Sequence, residues 1–213
     1  MTMVFQYFSH GRDPVTLEVG ERNRFTGEAD RNQPTVFQPG NHEDVCVIVV
    51  ESREAAQSLR WSLAFPEKEF STSIDPLNTE YMLTEQSAEE AQRDLDYRTA
   101  PRGVCVDKPP GVEANRLRRF SEDDGSSGEI EVTAARVNEP VTLNGRVRDE
   151  GLPRGGTLSI EWRQVSGPAE AAFADPHAAA TRVSFPAAGT YELELTASDG
   201  NATASDRIRF EVD

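Results

Sequence analysis

Cys46, in DVCVIVV, and Cys105, in GVCVD, carry the most reactive side chains in this sequence, and both sit in short apolar runs that read as strands or strand ends. Two readings are open for them. As free thiols they are small buried apolar residues. Joined, they staple a loop of about 60 residues and stabilise by roughly 4 kcal/mol on the chain-entropy model. Such a bond persists in an oxidising compartment and is lost in a reducing one. A metal site fits less well, because His10, His42 and His177 show no ligand spacing with either cysteine.

The chain holds 37 acidic residues, so close carboxylate pairs arise by chance alone. Glu67 with Glu69, Glu89 with Glu90, Asp123 with Asp124 and Asp149 with Glu150 all qualify. None has a context that would raise one pKa and lower its partner, and solvated acidic surface accounts for them. No G-x-S-x-G elbow, H-E-x-x-H, P-loop or G-x-G-x-x-G is present. An enzyme built from dispersed residues of the N-terminal half would draw first on His10, His42, Asp30, Asp44 and Glu43, which otherwise read as polar loop surface. Calcium has two candidate loops, Arg148-Asp149-Glu150-Gly151 and Asp199-Gly200-Asn201, but no EF-hand spacing, and tight turns need the same residue types. The expectation is therefore no cofactor, with calcium as the one metal to consider.

The elements that would position these residues fall into two groups. A length of 213 residues suits two domains with a core each. The boundary falls in SEDDGSSG, Ser121–Gly128, a charged, Gly/Ser-rich stretch without apolar periodicity. It divides the chain into an N-terminal β-rich domain over 1–120, a linker over 121–128 and a C-terminal domain over 129–213. Before the linker, strands are expected at Val15–Val19, Thr35–Phe37, Val45–Val50, Leu59–Phe65 and Gly103–Val106. One short helix is expected after Ser87, where Glu90 completes a capping box and Ala88, Ala91 and Leu95 share a face. Trp61, Phe65 and Phe70 read as core side chains.

After the linker the period is two. Leu158, Ile160 and Trp162 share one face of a strand, and Tyr191, Leu193, Leu195 and Ala197 share a face of another. Val141, Leu143, Val147, Val183, Phe185, Ile208, Phe210 and Val212 continue the pattern, with Gly, Pro and Asp/Asn turns between strands. Six or seven such strands in about 85 residues imply an antiparallel β-sandwich. Pairing of the last two strands would set Arg207 and Arg209 near Glu192 and Glu194.

This C-terminal block resembles the PKD-like, immunoglobulin-like sandwich family in its W-x-Q-x-x-G-P subtype. The resemblance rests on Trp162, Gln164, Gly167 and Pro168, then Phe185, Gly189, Tyr191, Leu193, Leu195, Asp199, Gly200, Ser205 and Asp206. It implies a module of an exported or cell-surface protein that acts as a spacer or as a contact for proteins or glycans, and is rarely catalytic. Physically, Trp162 would fill the space between sheets, Gly189, Asp199 and Gly200 would serve turns, and Tyr191 would send its hydroxyl to backbone as in a tyrosine corner. The stretch Arg22–Val45 is similar to a segment of uncharacterised exported bacterial proteins.

A net charge of −15 repels phosphate backbones, so nucleic acid is not an expected partner. No apolar run approaches membrane-spanning length. The start, MTMVFQYFSHGRD, lacks the layout of a signal peptide. With what the resemblance implies, the expectation is an all-β, non-enzymatic recognition or spacer protein of the periplasm, the cell surface or the secreted fraction, binding protein or glycan. The alternative is an accessory carbohydrate-binding module of a secreted enzyme, with Trp61, Tyr81, Tyr97 or Trp162 stacking on sugar.

Overall fold

The computed structural model describes residues 2–9, 11–65, 71–73, 99–115 and 132–213. The fold is nearly all β. It forms two compact units, Met1–Lys108 with Glu150–Gly156, and Pro109–Asp149 with Thr157–Asp213. The first passage between units thus falls at Lys108/Pro109, and the expected linker, 121–128, lies outside the described residues. Residues 109–115, read from sequence as N-terminal, join the second unit because Gly111–Glu113 pairs with Arg146–Arg148 and Ala114 is buried in that unit's core.

The first unit is built from β1 (Thr2–Ser9), β2 (Val15–Thr16), β3 (Asn23–Phe25), β4 (Val36–Phe37), β5 (Gly40–Val49), α1 (Arg53–Ser58), β6 (Trp61–Ala64) and β7 (Ser71–Ser73). Its longest pair, β1 with β5, runs antiparallel from Thr2 opposite Val49 to Ser9 opposite Gly40. Strand β1 was not expected, although its alternation is plain in hindsight: Met3, Phe5, Tyr7 and Ser9 are buried, while Gln6 and Phe8 are exposed. Two smaller sheets, β2-β4 and β3-β6-β7, complete the set. The core they share is aromatic. Phe25 stacks on Trp61 at 5.4 Å between ring centroids, and Phe5 meets Phe25 edge-on at 5.2 Å.

Helix α1 was also unforeseen, being a single short stretch that could not persist alone in water. Ser52 caps it by accepting from the Ala55 N–H at 3.1 Å, and Ala56 anchors it in the core. The helix expected after Ser87 lies outside the described residues. Gly103–Val106, expected as a strand, makes only isolated bridges, through Cys105 to Ile48, alongside one from Arg102 to Val49.

The second unit contains β8 (Gly111–Glu113), β9 (Val132–Ala135), β10 (Val141–Asn144), β11 (Arg146–Arg148), β12 (Ser159–Ser166), β13 (Ala172–Phe173), β14 (Ala180–Ser184), β15 (Gly189–Ser198) and β16 (Thr203–Val212). One sheet has the order β12-β15-β16-β9, another β10-β14-β13, and β11-β8 forms a further pair. Trp162, Leu193, Leu195, Ile208 and Phe210 of the larger sheet share a core with Leu143 and Val183. The sandwich is not wholly antiparallel, because β9 lies parallel to β16. That placement covers an edge of β16 that would otherwise offer open backbone groups. Leu158 precedes β12 and is exposed, so the inward face of that strand is carried by Trp162, with Ile160 half-buried.

The outer face of this sheet carries a charged ladder. Glu194 is only 4% exposed on β15, covered by Arg163 of β12 and Arg207 of β16. Arg163 Nε donates to Glu194 Oε2 at 2.7 Å and Arg207 Nε to Glu194 Oε1 at 2.7 Å, while Arg207 Nη1 reaches Glu192 at 2.8 Å. Desolvation pushes the Glu194 carboxyl up, but the bonds from Arg207 and Arg163 outweigh it and hold it below the ordinary glutamate range. A depressed folded-state pKa stabilises above the unfolded value, and that stabilisation is lost as pH falls through the folded value. Glu194→Gln should therefore cost about 1–2 kcal/mol at neutral pH. The gap from wild type should close below the ordinary glutamate range in urea titrations. A gap independent of pH would show that charge is not its source.

Candidate functional site

A cavity of about 570 Å³ opens in the first unit, between the Thr26–Arg31 turn, the end of β5, α1 and the segment Arg102–Gly103. Its volume lies in the range of small-molecule sites. Arg31 is the decisive side chain. It is 19% exposed, and its Nη1 donates to the Gly103 carbonyl at 2.6 Å. Its Nε is buried without a hydrogen-bond partner, and the Glu28 carboxylate stands off at 4.0 Å. An orphaned buried donor costs about 1–3 kcal/mol, and a ligand atom that accepts from this Nε–H would recover part of that cost.

The backbone around Arg31 is held from several sides. Its N–H donates to Gln33 Oε1 at 2.7 Å, and its carbonyl accepts from Cys105 N–H at 2.6 Å. Asn32, with φ of 59°, sends Nδ2 to the Cys105 carbonyl at 3.2 Å. Cys105 in turn is bonded to Cys46 of β5 in a disulfide, with Cα atoms 4.9 Å apart. The disulfide thus fixes the segment on which the arginine rests. Gly27 and Gly103 adopt φ of 76° and 77°, in the left-handed region, and flank the guanidinium. A Cβ on Gly103 would come within 3.4 Å of Arg31 Nη1.

At the rim, Arg102 and Glu51 are exposed, and the Arg102 side chain has no hydrogen bond or ion pair among the described residues. The hydroxyls nearby are already used. Ser58 Oγ donates to Ala55 O, Thr26 Oγ1 donates to Ser58 O and accepts from Arg60 N, and Ser52 Oγ caps α1. Among the described residues the lining contains no histidine or cysteine. Such an arrangement can hold an anion. Neither arginine was picked out from sequence, where nothing links positions so far apart.

Of the residues first in line for an N-terminal enzyme, the structure describes the side chains of His42 and Asp30. His10 lies outside the described residues, as do the side chains of Glu43 and Asp44 on β5. His42 stacks on Tyr7 at 4.8 Å, with Nε2 3.1 Å from the Pro39 carbonyl. Burial raises the Tyr7 hydroxyl to about 12, against a smaller pull from the Gln38 N–H. Asp30 pairs with Arg154, whose hydrogen bond holds the carboxyl below its ordinary range against a smaller upward push from desolvation. No hydrogen bond joins His42 to Asp30 among the described residues.

The stacking candidates also divide. Trp61 is buried, its Nε1 donating to Asn23 Oδ1 at 2.8 Å, so it cannot reach a sugar. Trp162 is buried as well, donating to Ala179 O at 3.0 Å. Tyr81 and Tyr97 lie outside the described residues, as does Phe70, while Phe65 packs on the core.

In the sandwich, the motif residues are engaged in packing and turns. Gln164 Nε2 donates to Ala169 O at 2.9 Å and its Oε1 accepts from Ala171 N at 2.7 Å, pinning the strand to the loop after it. Gly167 lies so close to Tyr191 and Gln164 that a Cβ would fall 2.7 Å from Gln164 Nε2 and closer still to the Tyr191 ring. Tyr191 is fully buried and donates to Ala187 O at 3.0 Å. Asp199 Oδ1 accepts from the N–H groups of Asn201 and Ala202, each at 2.7 Å, while Gly189 and Gly200 have φ of 135° and 95°.

Residues 127–212 match the K319L-like PKD domain. A solved structure, "Solution structure of the PKD domain from KIAA 1837 protein", is 20% identical, with 43% of this chain and 91% of that chain covered and a TM-score of 0.30. The match encloses Glu150–Gly156, which belongs to the first unit, and omits β8, which pairs within the PKD-like unit. In that unit Asp206 Oδ2 accepts from the Ala114 N–H at 2.8 Å, tying the added segment to β16. The motif residues of the PKD-like domain thus serve its interior, and the cavity belongs to the other unit.

Proposed function

We propose that this chain is a non-enzymatic recognition or spacer protein working outside the cytoplasm, in which the PKD-like domain supports an N-terminal unit that makes the contacts. The match of residues 127–212 carries this reading. The buried Cys46–Cys105 bond supports the compartment, since such bonds persist where the surroundings are oxidising. Partners are proteins or glycans at a cell surface. A net charge of −15 disfavours nucleic acid, and among the described residues no helix is long and apolar enough to cross a membrane.

The alternative of an accessory carbohydrate-binding module gains from the cavity in the first unit and loses from the burial of Trp61 and Trp162. The purified chain is expected to show no turnover on panels of glycans and peptides. It should retain selected ligands on the same panels. Robust hydrolysis that tracks with the chain through purification would overturn the proposal.

A further inference from the structure

We propose that the cavity of the first unit binds the carboxylate of an acidic sugar, a uronic acid, with Arg31 as its half-buried anchor and Arg102 reaching it from the rim. This rests on the recognition reading and names the ligand class. The Arg31 guanidinium spends one donor on Gly103 O, and among the described residues no carboxylate lies closer than Glu28 at 4.0 Å. A planar fork with spare N–H groups suits a carboxylate, which it can meet with two parallel bonds. The glycines at 27 and 103 place no side chain over it.

The rest of the lining narrows the choice. Glu51 shares the cavity with the two arginines, so a polyanion or doubly charged phosphate would meet repulsion, which the chain's net charge of −15 reinforces. A ligand with one carboxylate and several hydroxyls meets both needs, its hydroxyls donating to Glu51 and its carboxylate accepting from the arginines. Among the described residues no aromatic side chain lines the cavity, and none of them offers a neutral sugar a stacking surface.

Titrating the full chain with glucuronate, glucose, inorganic sulfate and a tripeptide with a free C-terminal carboxylate, followed by amide NMR shifts, tests the assignment. Glucuronate should give saturable shifts at residues 26–31 and 102–103, and glucose none. Arg102→Gln, at an exposed position, should weaken glucuronate binding by about tenfold with an unchanged melting temperature. Arg31→Lys should weaken it further. Absence of saturable shifts with glucuronate, or binding indifferent to Arg102→Gln, would overturn the proposal. Preference for sulfate or the tripeptide would overturn the sugar while leaving the recognition reading intact; conversion of a sugar or peptide to products would sink that reading itself.

Discussion

Replacing Cys46 and Cys105 together by alanine is expected to destabilise the first unit by about 4 kcal/mol. The bond closes a loop with a sequence separation of 59, and releasing it returns that loop's entropy to the unfolded chain. Both residues are buried, at 0% and 1% exposure, so lost packing adds to the entropic loss. With an m-value typical of a small domain, the urea midpoint should fall by on the order of 2 M. Trp61 fluorescence in a Trp162→Phe background reads this unit alone, because these are the chain's two tryptophans and they occupy different units. A midpoint within about 0.3 M of the parent would mean that other contacts already restrain the loop in the unfolded state. The Arg31 cavity should loosen with it, since Cys105 holds the Arg31 carbonyl.

Asn23→Ala is expected to cost about 3–5 kcal/mol, a large effect for one amide. Asn23 has 0% exposure. Its Nδ2 donates to Leu17 O at 2.8 Å and Pro34 O at 2.9 Å, and its Oδ1 accepts from Trp61 Nε1 at 2.8 Å. Alanine strands all three partners away from water and leaves a void beside the largest ring of the core. Asn23→Asp separates hydrogen bonding from volume. The carboxylate can still accept from Trp61 but has no N–H for the two carbonyls, and burial disfavours its charge. Its folded-state pKa is then raised, so the variant should be most stable in acid and lose stability as pH rises above the ordinary aspartate range. Urea midpoints measured across pH decide this, and an Asp variant equally stable at every pH would refute the account.

The sandwich was legible in sequence because its signals are local. Tyr191, Leu193 and Leu195 alternate with polar residues, and the Asp199-Gly200 turn follows at once. What sequence did not convey was pairing across distance, as with β9 lying parallel to β16, or β8 joining β11 from before the expected linker. Glu194 shows a subtler limit. Its alternation places it outward, yet two long arginine side chains cover it until it is almost as buried as the core. The first unit was less legible because most of its strands are short and join partners far along the chain, as β3 does with β6. Its candidate site was not legible at all. Arg31, Gly103 and Cys105 become one arrangement only after the fold brings the segments together, and each alone is an ordinary loop residue.

Glu150–Gly156 lies between β11 and β12 yet belongs to the first unit, where Leu152 is buried in the aromatic core. The polypeptide therefore passes from one unit to the other three times, at 108/109, 149/150 and 156/157. No single cut or recombination point divides it into two whole units. A piece ending at Lys108 lacks Leu152, and a piece beginning at Pro109 carries that apolar side chain without its core. Where one cut separates neighbouring modules on a string, separating these two takes three.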